Sequence, residues 1–134
     1  MKRRAVATLR TPAGALVLGT VLLVAWVAPA HAQKSTEQFI PIGKSPGISE
    51  KVTAIGTLVT VKPLEHLFTV SEAGGRRNVR MNERTQIWLD RSAHKLPNIP
   101  GSYADIQPGR RVEVKFTDPI RRDTAEWIKV EVPR

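Results

Sequence analysis

The chain has 134 residues, of which 41% are apolar, and it contains 21 basic residues, 12 acidic residues and no cysteine. The absence of cysteine excludes stabilisation by disulfides. Four basic residues and no acidic residue lie in residues 1–32, so residues 33–134 carry a formal charge of +5 rather than +9. That charge is mild, and it lacks the dense basic stripe of a nucleic-acid binder, so no nucleic-acid partner is expected.

Residues 1–32 have the pattern of a cleavable secretory signal peptide. Four basic residues lie within the first ten positions, Ala13–Val27 is an apolar run, and Ala30-His31-Ala32 has small residues where signal peptidase requires them. We therefore expect cleavage after Ala32 and a periplasmic or secreted protein. An uncleaved membrane anchor is the alternative, although the apolar run is short for a membrane-spanning helix.

Residues 33–50 contain two Pro, two Gly and three Ser without a sustained period, which predicts an extended arm or linker. Residues 51–134 then form one β-rich domain. The predicted strands are residues 52–62, 66–71, 76–82, 110–117 and 124–132, with 85–89 either continuing the third strand or forming a short separate one. A helical turn is predicted at residues 102–106, where Ile106 and Tyr103 would cover one end of the domain.

Alternation is clearest in the fourth strand, where Val112, Val114 and Phe116 are predicted to face inward and Arg111, Glu113 and Lys115 outward. In the last strand Ile128 and Val130 are predicted inward, and Trp127 and Lys129 outward. Ala125 has the wrong parity for that inward face, which predicts a bulge or a small outward residue.

Glycines mark two further features. Gly56 lies inside the first strand, where a barrel strand often bends or bulges. Gly74-Gly75 predicts a tight hairpin with positive φ values at both glycines. Five strands with a helical turn between the third and fourth predict an all-β, five-stranded OB-like barrel, with an SH3-like barrel as the alternative.

Several segments together resemble an uncharacterised family of small exported bacterial OB-like β-barrel domains. They are Gly56-Thr57-Leu58-Val59, Phe68-Thr69-Val70, Thr85-Gln86-Ile87, the run from Tyr103 to Val114, and Ala125-Glu126-Trp127-Ile128-Lys129-Val130. The resemblance covers about three quarters of the chain after the signal segment. It implies the fold and the export and no particular activity, because the shared positions are turns and core residues.

Two sequence patterns suggest chemistry on first inspection. Asp90-Arg91-Ser92-Ala93-His94 contains the residue types of a catalytic triad, but five consecutive loop residues rarely converge in the required geometry. Gly43-Lys44-Ser45 ends like a phosphate-binding loop, but Gln38 stands where that motif requires glycine. The sequence thus predicts no enzyme, no catalytic residue and no cofactor.

Arginine pairs lie at strand starts or turns, at Arg76-Arg77, Arg110-Arg111 and Arg121-Arg122. If the first and last pairs lie close together in the barrel, they could bind phosphates or carboxylates in a bidentate manner. The alternative is that these charges provide solubility and protect strand edges.

The two tryptophans after the signal segment, Trp88 and Trp127, have two possible roles. Exposed on a barrel face, they would anchor a partner. Alternatively, Phe39 and Ile42 of the arm cover them.

The sequence therefore predicts an exported, non-enzymatic binding or accessory module that contacts an envelope protein or an anionic envelope component. Its predicted binding residues are Arg76, Arg77, Arg121, Arg122, Trp88 and Trp127. The alternative is a small periplasmic metal-binding protein that uses His66 and His94. Membrane contact is expected only through the signal peptide, if that remains uncleaved.

Overall fold

The computed structural model describes residues 36–134. The predicted signal peptide, its cleavage after Ala32 and residues 33–35 lie outside the described residues. In the part that is described, the protein contains no helix of the length and apolarity needed to cross a bilayer.

Apart from a helical turn at residues 36–38, the described chain consists of strands, 3-10 turns and irregular segments, which confirms the all-β prediction. The strands are β1 (Thr53–Lys62), β2 (Leu67–Glu72), β3 (Gly75–Arg80), β4 (Gln86–Asp90), β5 (Ile99–Pro100), β6 (Arg111–Phe116) and β7 (Ala125–Glu131). Three 3-10 turns lie at Pro63–Glu65, Ser92–His94 and Tyr103–Asp105. Within residues 36–134 the strands number seven rather than five, because β4 is separate from β3 and because β5 adds a two-residue strand.

The strands form one sheet in the order β3-β2-β1-β6-β7-β4-β5. β4 pairs with β7 in parallel, and the other neighbours are antiparallel. β3 also reaches the start of β7, because the Arg80 N–H donates to the Asp123 carbonyl at 2.8 Å and Arg80 forms a parallel bridge with Thr124. This contact brings the two ends of the meander together, as in an OB-like barrel.

The barrel interior is filled by the alternating inward residues of the strands. Val112, Val114 and Phe116 are buried as predicted, and Ile128 and Val130 join them from β7. Ile106 lies in the same cluster, whereas Tyr103 is 39% exposed and does not help to cover the barrel end. The predicted bulge near Ala125 is confirmed, since the β6–β7 register shifts between Lys115 and Phe116.

The two glycine predictions have different outcomes. A Cβ at Gly56 would lie 2.1 Å from the Ser71 carbonyl oxygen, so glycine permits the close approach of β1 and β2. The β1 bulge falls further along, between Leu58 and Thr60. At the hairpin, Glu72 pairs with Gly75, and of the two glycines only Gly75 has a positive φ, of 126°. The predicted hairpin is therefore confirmed, but not the positive φ at Gly74.

Candidate functional site

The arm, here defined as residues 36–52, lies against the outer face of β6 and β7. Its main anchor is the Glu113 carboxylate, which accepts hydrogen bonds from the Gly43 N–H at 2.8 Å, the Ser49 hydroxyl at 2.6 Å and the Thr53 hydroxyl at 3.0 Å. Glu113 is fully buried as a result. Glu113 lies on the outward face of β6, as alternation predicts, but the arm covers that face, because alternation identifies the face of a strand and not what covers it.

A second anchor lies at the edge of the sheet, beside β4. The Asp90 carboxylate accepts hydrogen bonds from the N–H groups of Ile42 at 2.7 Å and Ser92 at 2.9 Å. The Asn98 amide donates to the arm carbonyls of Gln38 at 3.0 Å and Ile40 at 3.3 Å. The Asp90 carboxylate therefore holds the backbone of the arm at Ile42 and that of the following turn at Ser92.

Lys129 lies beneath the arm, on the outer face of β7. Its Nζ is 3.1 Å from the Ser45 hydroxyl and 3.5 Å from the Glu37 carboxylate. The same atom is 4.5 Å from the ring centroid of Trp127 and 6.0 Å from that of Trp88. Burial lowers the pKa of Lys129, and the nearby carboxylates of Glu113, Glu37 and Asp90 oppose that shift. The buried ammonium is thus stabilised by ring faces and by a carboxylate of the arm.

Both tryptophans lie in the layer of buried side chains around Lys129, on the outer face of the sheet. Their ring centroids are 5.4 Å apart, and Trp88 and Trp127 are only 5% and 1% exposed. They are therefore not available as surface contacts, so the predicted binding role of Trp88 and Trp127 does not fit this structure. Of the two arm residues expected to cover them, Ile42 is buried and Phe39 is 60% exposed.

The predicted arginine contacts are mostly engaged within the chain. Arg77 faces inward, with Nε 2.6 Å from the Glu72 carboxylate and its guanidinium 5.8 Å from the Phe116 ring centroid. Arg121 pairs with Asp118 at 3.1 Å. Arg122 donates to the carbonyls of Pro119 and Lys51. Arg76 is exposed on the outer face of β3, and within residues 36–134 its guanidinium has no hydrogen bond or ion pair.

The predicted proximity of the two arginine pairs depends on how β3 meets the turn between β6 and β7. Arg77 stacks over Phe116, which precedes that turn, and the Arg80 N–H bonds to Asp123 near its end. The structure thus places the end of β3 beside the turn that carries Arg121 and Arg122, whereas Arg76 lies at the start of β3.

A groove of about 610 Å³, beside the start of β2 and the end of β3, is lined by residues 65–66 and 80–84. It includes Arg80 and Arg84, which the sequence reasoning did not select. Both are exposed, and neither guanidinium has a partner among the residues that the structure describes. Alternation along β3 predicts that Arg80 faces outward and could have identified it. Arg84 lies in a turn, where no periodicity indicates which side chains are exposed.

The two candidate metal-ligating histidines have separate partners. His66 Nδ1 lies 2.6 Å from the Tyr103 hydroxyl, and His94 Nε2 lies 2.8 Å from the Pro133 carbonyl oxygen. Partial burial raises the pKa of Tyr103. The His66 carbonyl accepts from Met81, before β4 begins, whereas His94 follows the end of β4, a strand that rises by about 13 Å. Residues 36–134 contain no group of three or more His, Cys, Asp or Glu side chains suited to a metal.

Packing of the arm also changes the charge that the surface presents. Residues 36–134 contain 16 basic and 12 acidic residues, a formal charge of +4. Three of those acids (Glu37, Asp90 and Glu113) and one base (Lys129) are buried. The remaining side chains therefore carry 15 positive and 9 negative charges, a net +6. Docking of the arm makes the outer surface more positive than the sequence alone indicates.

Comparisons with known proteins give little beyond this geometry. No protein-family signature and no curated protein match the chain. Among solved structures, the chain is similar to one described as the crystal structure of Ag(I)CusF, at 14% identity and a TM-score of 0.41. The similarity covers 58% of this chain and 93% of that one. At this level it carries no argument about ligand or activity.

Proposed function

We propose that the chain is an exported, non-enzymatic binding module that contacts an anionic partner in the cell envelope through Arg76, Arg80 and Arg84. The observation that carries the proposal is the state of these three guanidinium groups. All three are exposed along or just after β3, and within residues 36–134 none has an acidic partner. Exposed arginines of this kind are suited to bidentate contacts with carboxylates or phosphates.

The outer face of β2 and β3 supports this proposal. Its outward positions are Leu67, Thr69, Ser71, Arg76, Asn78 and Arg80, a set without an acidic residue. Thr69 and Asn78 bond to each other across the two strands at 2.8 Å, which leaves the arginines as the charged groups of the face. OB-fold proteins commonly bind their ligands on this face and on the adjoining loops.

The non-enzymatic part of the proposal rests on where the interacting titratable groups lie. The cluster of Glu37, Asp90, Glu113 and Lys129 is buried between the arm and the outer face of the sheet. Its hydrogen bonds hold backbone and hydroxyl groups of the arm. Such a cluster stabilises a fold rather than presenting an acid or base to a substrate.

Export and family membership are parts of the same proposal. Export rests on the pattern of residues 1–32. Membership of the uncharacterised family of exported OB-like domains rests on the quoted segments, and the run from Tyr103 to Val114 supplies the 3-10 turn and much of β6. An envelope partner follows if the protein is exported.

Charge reversal tests the proposal. The double variant Arg80→Glu with Arg84→Glu changes the net charge by −4, and the matched control, Lys44→Glu with Arg134→Glu, changes it equally at exposed positions elsewhere. Each protein is used to capture partners from native envelope extract, and its affinity for polyglutamate is measured at low and high salt.

We expect the arginine variant to lose about tenfold or more in polyglutamate affinity and to lose its captured partner. The control is expected to retain both, and raising the salt should weaken binding of the wild-type protein. Equal affinities for the two variants would overturn the proposal.

A further inference from the structure

Two apolar side chains, on turns that flank the groove of Arg80 and Arg84, are almost fully exposed. Leu64, in the Pro63–Glu65 turn between β1 and β2, is 97% exposed, and Ile120, in the turn between β6 and β7, is 90% exposed. The other exposed large apolar side chains of the described chain are at most 60% exposed. Each of these side chains would gain free energy by moving from water into an apolar phase.

The two turns flank the arginines of the groove. Leu67, just after the first turn, pairs with Arg80, and Asp123, near the end of the second turn, accepts a hydrogen bond from the Arg80 N–H. Arg84 lines the groove together with Glu65, and it lines a smaller depression together with Thr117. Arg80 and Arg84 therefore lie between the tips that carry Leu64 and Ile120.

Local hydrogen bonds hold the Ile120 tip in place. The Asp118 carboxylate accepts from the N–H groups of Ile120 at 2.8 Å and Arg121 at 3.1 Å, as in an Asx turn. The Arg121 side chain bonds to the other oxygen of the same carboxylate at 3.1 Å. Ile120 is thus presented by an ordered turn.

The Leu64 tip is fixed in a comparable way. The His66 N–H bonds to the Pro63 carbonyl at 3.2 Å, and His66 adopts a left-handed conformation with φ of 52° that ends the 3-10 turn. The His66 ring is held by the Tyr103 hydroxyl. These contacts of His66 hold the turn in place, and Leu64 is exposed at its tip.

Most acidic side chains of the two turns form ion pairs with basic side chains nearby. Glu65 lies 3.5 Å from Lys62, and Asp118 and Asp123 lie within 4 Å of Arg121. Glu83, in the groove, has no basic partner among the described residues. Arg80 and Arg84 thus remain the unpaired cations between the two apolar tips.

We propose that the groove and the two turns that flank it dock on the surface of an anionic phospholipid bilayer. Leu64 and Ile120 enter the boundary between headgroups and acyl chains, while Arg80 and Arg84 bind lipid phosphates. Two apolar tips separated by a polar groove fit a deformable surface, whereas protein interfaces centre on a contiguous apolar patch. The inference rests on the proposed function, because it uses the same arginines, and it names lipid headgroups as the anionic partner.

Vesicle binding tests the apolar tips. The protein is recovered from the envelope of the expressing cell, its mass is determined, and it is sedimented with vesicles of phosphatidylethanolamine and phosphatidylglycerol. The double variant Leu64→Ser with Ile120→Ser is compared with the control Phe39→Ser with Leu96→Ser, which removes two exposed apolar side chains elsewhere. We expect the first variant to lose about tenfold or more in vesicle affinity and the control to bind like the wild type.

Fluorescence locates the contact. Because Trp88 and Trp127 are buried, a tryptophan introduced at Leu64 or at Ile120 supplies the exposed indole signal of the described chain. Leu64→Trp and Ile120→Trp are each expected to show a blue shift with vesicles and quenching by brominated lipid. Leu96→Trp, at a half-exposed apolar position elsewhere, is the control and is expected to show neither.

The variants separate failure of the docking from failure of the proposed function. Loss of vesicle binding in both Leu64→Ser/Ile120→Ser and Arg80→Glu/Arg84→Glu supports the docking. If only the arginine variant loses vesicle and polyglutamate binding, the docking is overturned and the anionic-partner proposal stands. If only the apolar variant loses vesicle binding, or if neither variant does, the docking is overturned, and the polyglutamate affinity of Arg80→Glu/Arg84→Glu then decides the anionic-partner proposal by itself.

Discussion

Lys129 Nζ lies 4.5 Å from the ring centroid of Trp127, on the face of β7 that the arm covers. The contact joins a buried cation to an aromatic face, and the Glu37 carboxylate approaches the same ammonium at 3.5 Å. Because Glu37 belongs to the arm and Lys129 to the barrel, this group of side chains ties the two parts together. Loss of either charge leaves the other without its partner in a largely dry environment.

Lys129→Met is therefore expected to lower the free energy of unfolding by about 3 kcal/mol, because it leaves the Glu37 carboxylate beneath the arm without an ammonium. The double variant Lys129→Met with Glu37→Gln should recover most of that loss. Urea unfolding followed by tryptophan fluorescence measures both. Equal stability of the single and the double variant would contradict the coupling.

The lowered pKa of Lys129 also predicts a pH dependence. Since burial disfavours the charged form, the unfolded chain binds the proton more tightly than the folded chain does. Stability due to this group should therefore rise as pH increases from the lowered folded pKa towards the ordinary value of 10.5. Comparing alkaline unfolding of the wild type and of Lys129→Met isolates this rise, which should be absent in the variant.

Glu113→Ala is expected to release the middle of the arm. The substitution removes the acceptor for the Gly43 N–H and for two hydroxyl groups. Buried donors without acceptors are costly, so we expect a loss of about 3 kcal/mol or more in unfolding free energy. Hydrogen exchange should increase at Gly43, whereas the control Glu65→Ala, which removes an exposed ion pair, should change stability by less than about 0.5 kcal/mol. Unchanged exchange at Gly43 would show that the arm does not depend on Glu113.

The sequence predicts the barrel well and the covered layer poorly, for a physical reason. Inward positions such as Val112 and Val114 follow from alternation, because a strand with one apolar face buries that face. Glu113, Trp127 and Lys129 lie on the opposite face, and their burial depends on a segment without periodicity that docks from 60 or more residues away. The hydrogen bonds of an irregular arm are long-range pairings, and no local pattern encodes them.

The candidate site shows the same limit. The arginine pairs were visible in the sequence, but which guanidinium groups are free depends on the acids that the fold places beside them. Glu72 engages Arg77, and Asp118 engages Arg121. Arg80 and Arg84 line the groove and have no ion pair among the described residues.

The alternative metal-binding function makes a separate prediction. Because His66 and His94 have different partners on either side of β4, they are not expected to share one metal ion. Calorimetric titration with Cu(II), Zn(II) and Ni(II) should give no binding that depends on both residues. A single site lost equally in His66→Ala and in His94→Ala would contradict this arrangement and support the alternative function.

Asp118 provides the final prediction. The N–H groups of Ile120 and Arg121 stabilise its ionised form and lower its pKa, and the Arg121 charge adds to that effect. A lowered folded pKa means that the carboxylate stabilises the turn above the ordinary aspartate pKa and ceases to do so as pH falls through the folded value. Side-chain NMR titration should thus place the pKa of Asp118 below 3.8. Arg121→Ala should raise that pKa only partly, since the backbone donors remain, and an unshifted pKa in the wild type would mean that the Ile120 tip is not held in this turn.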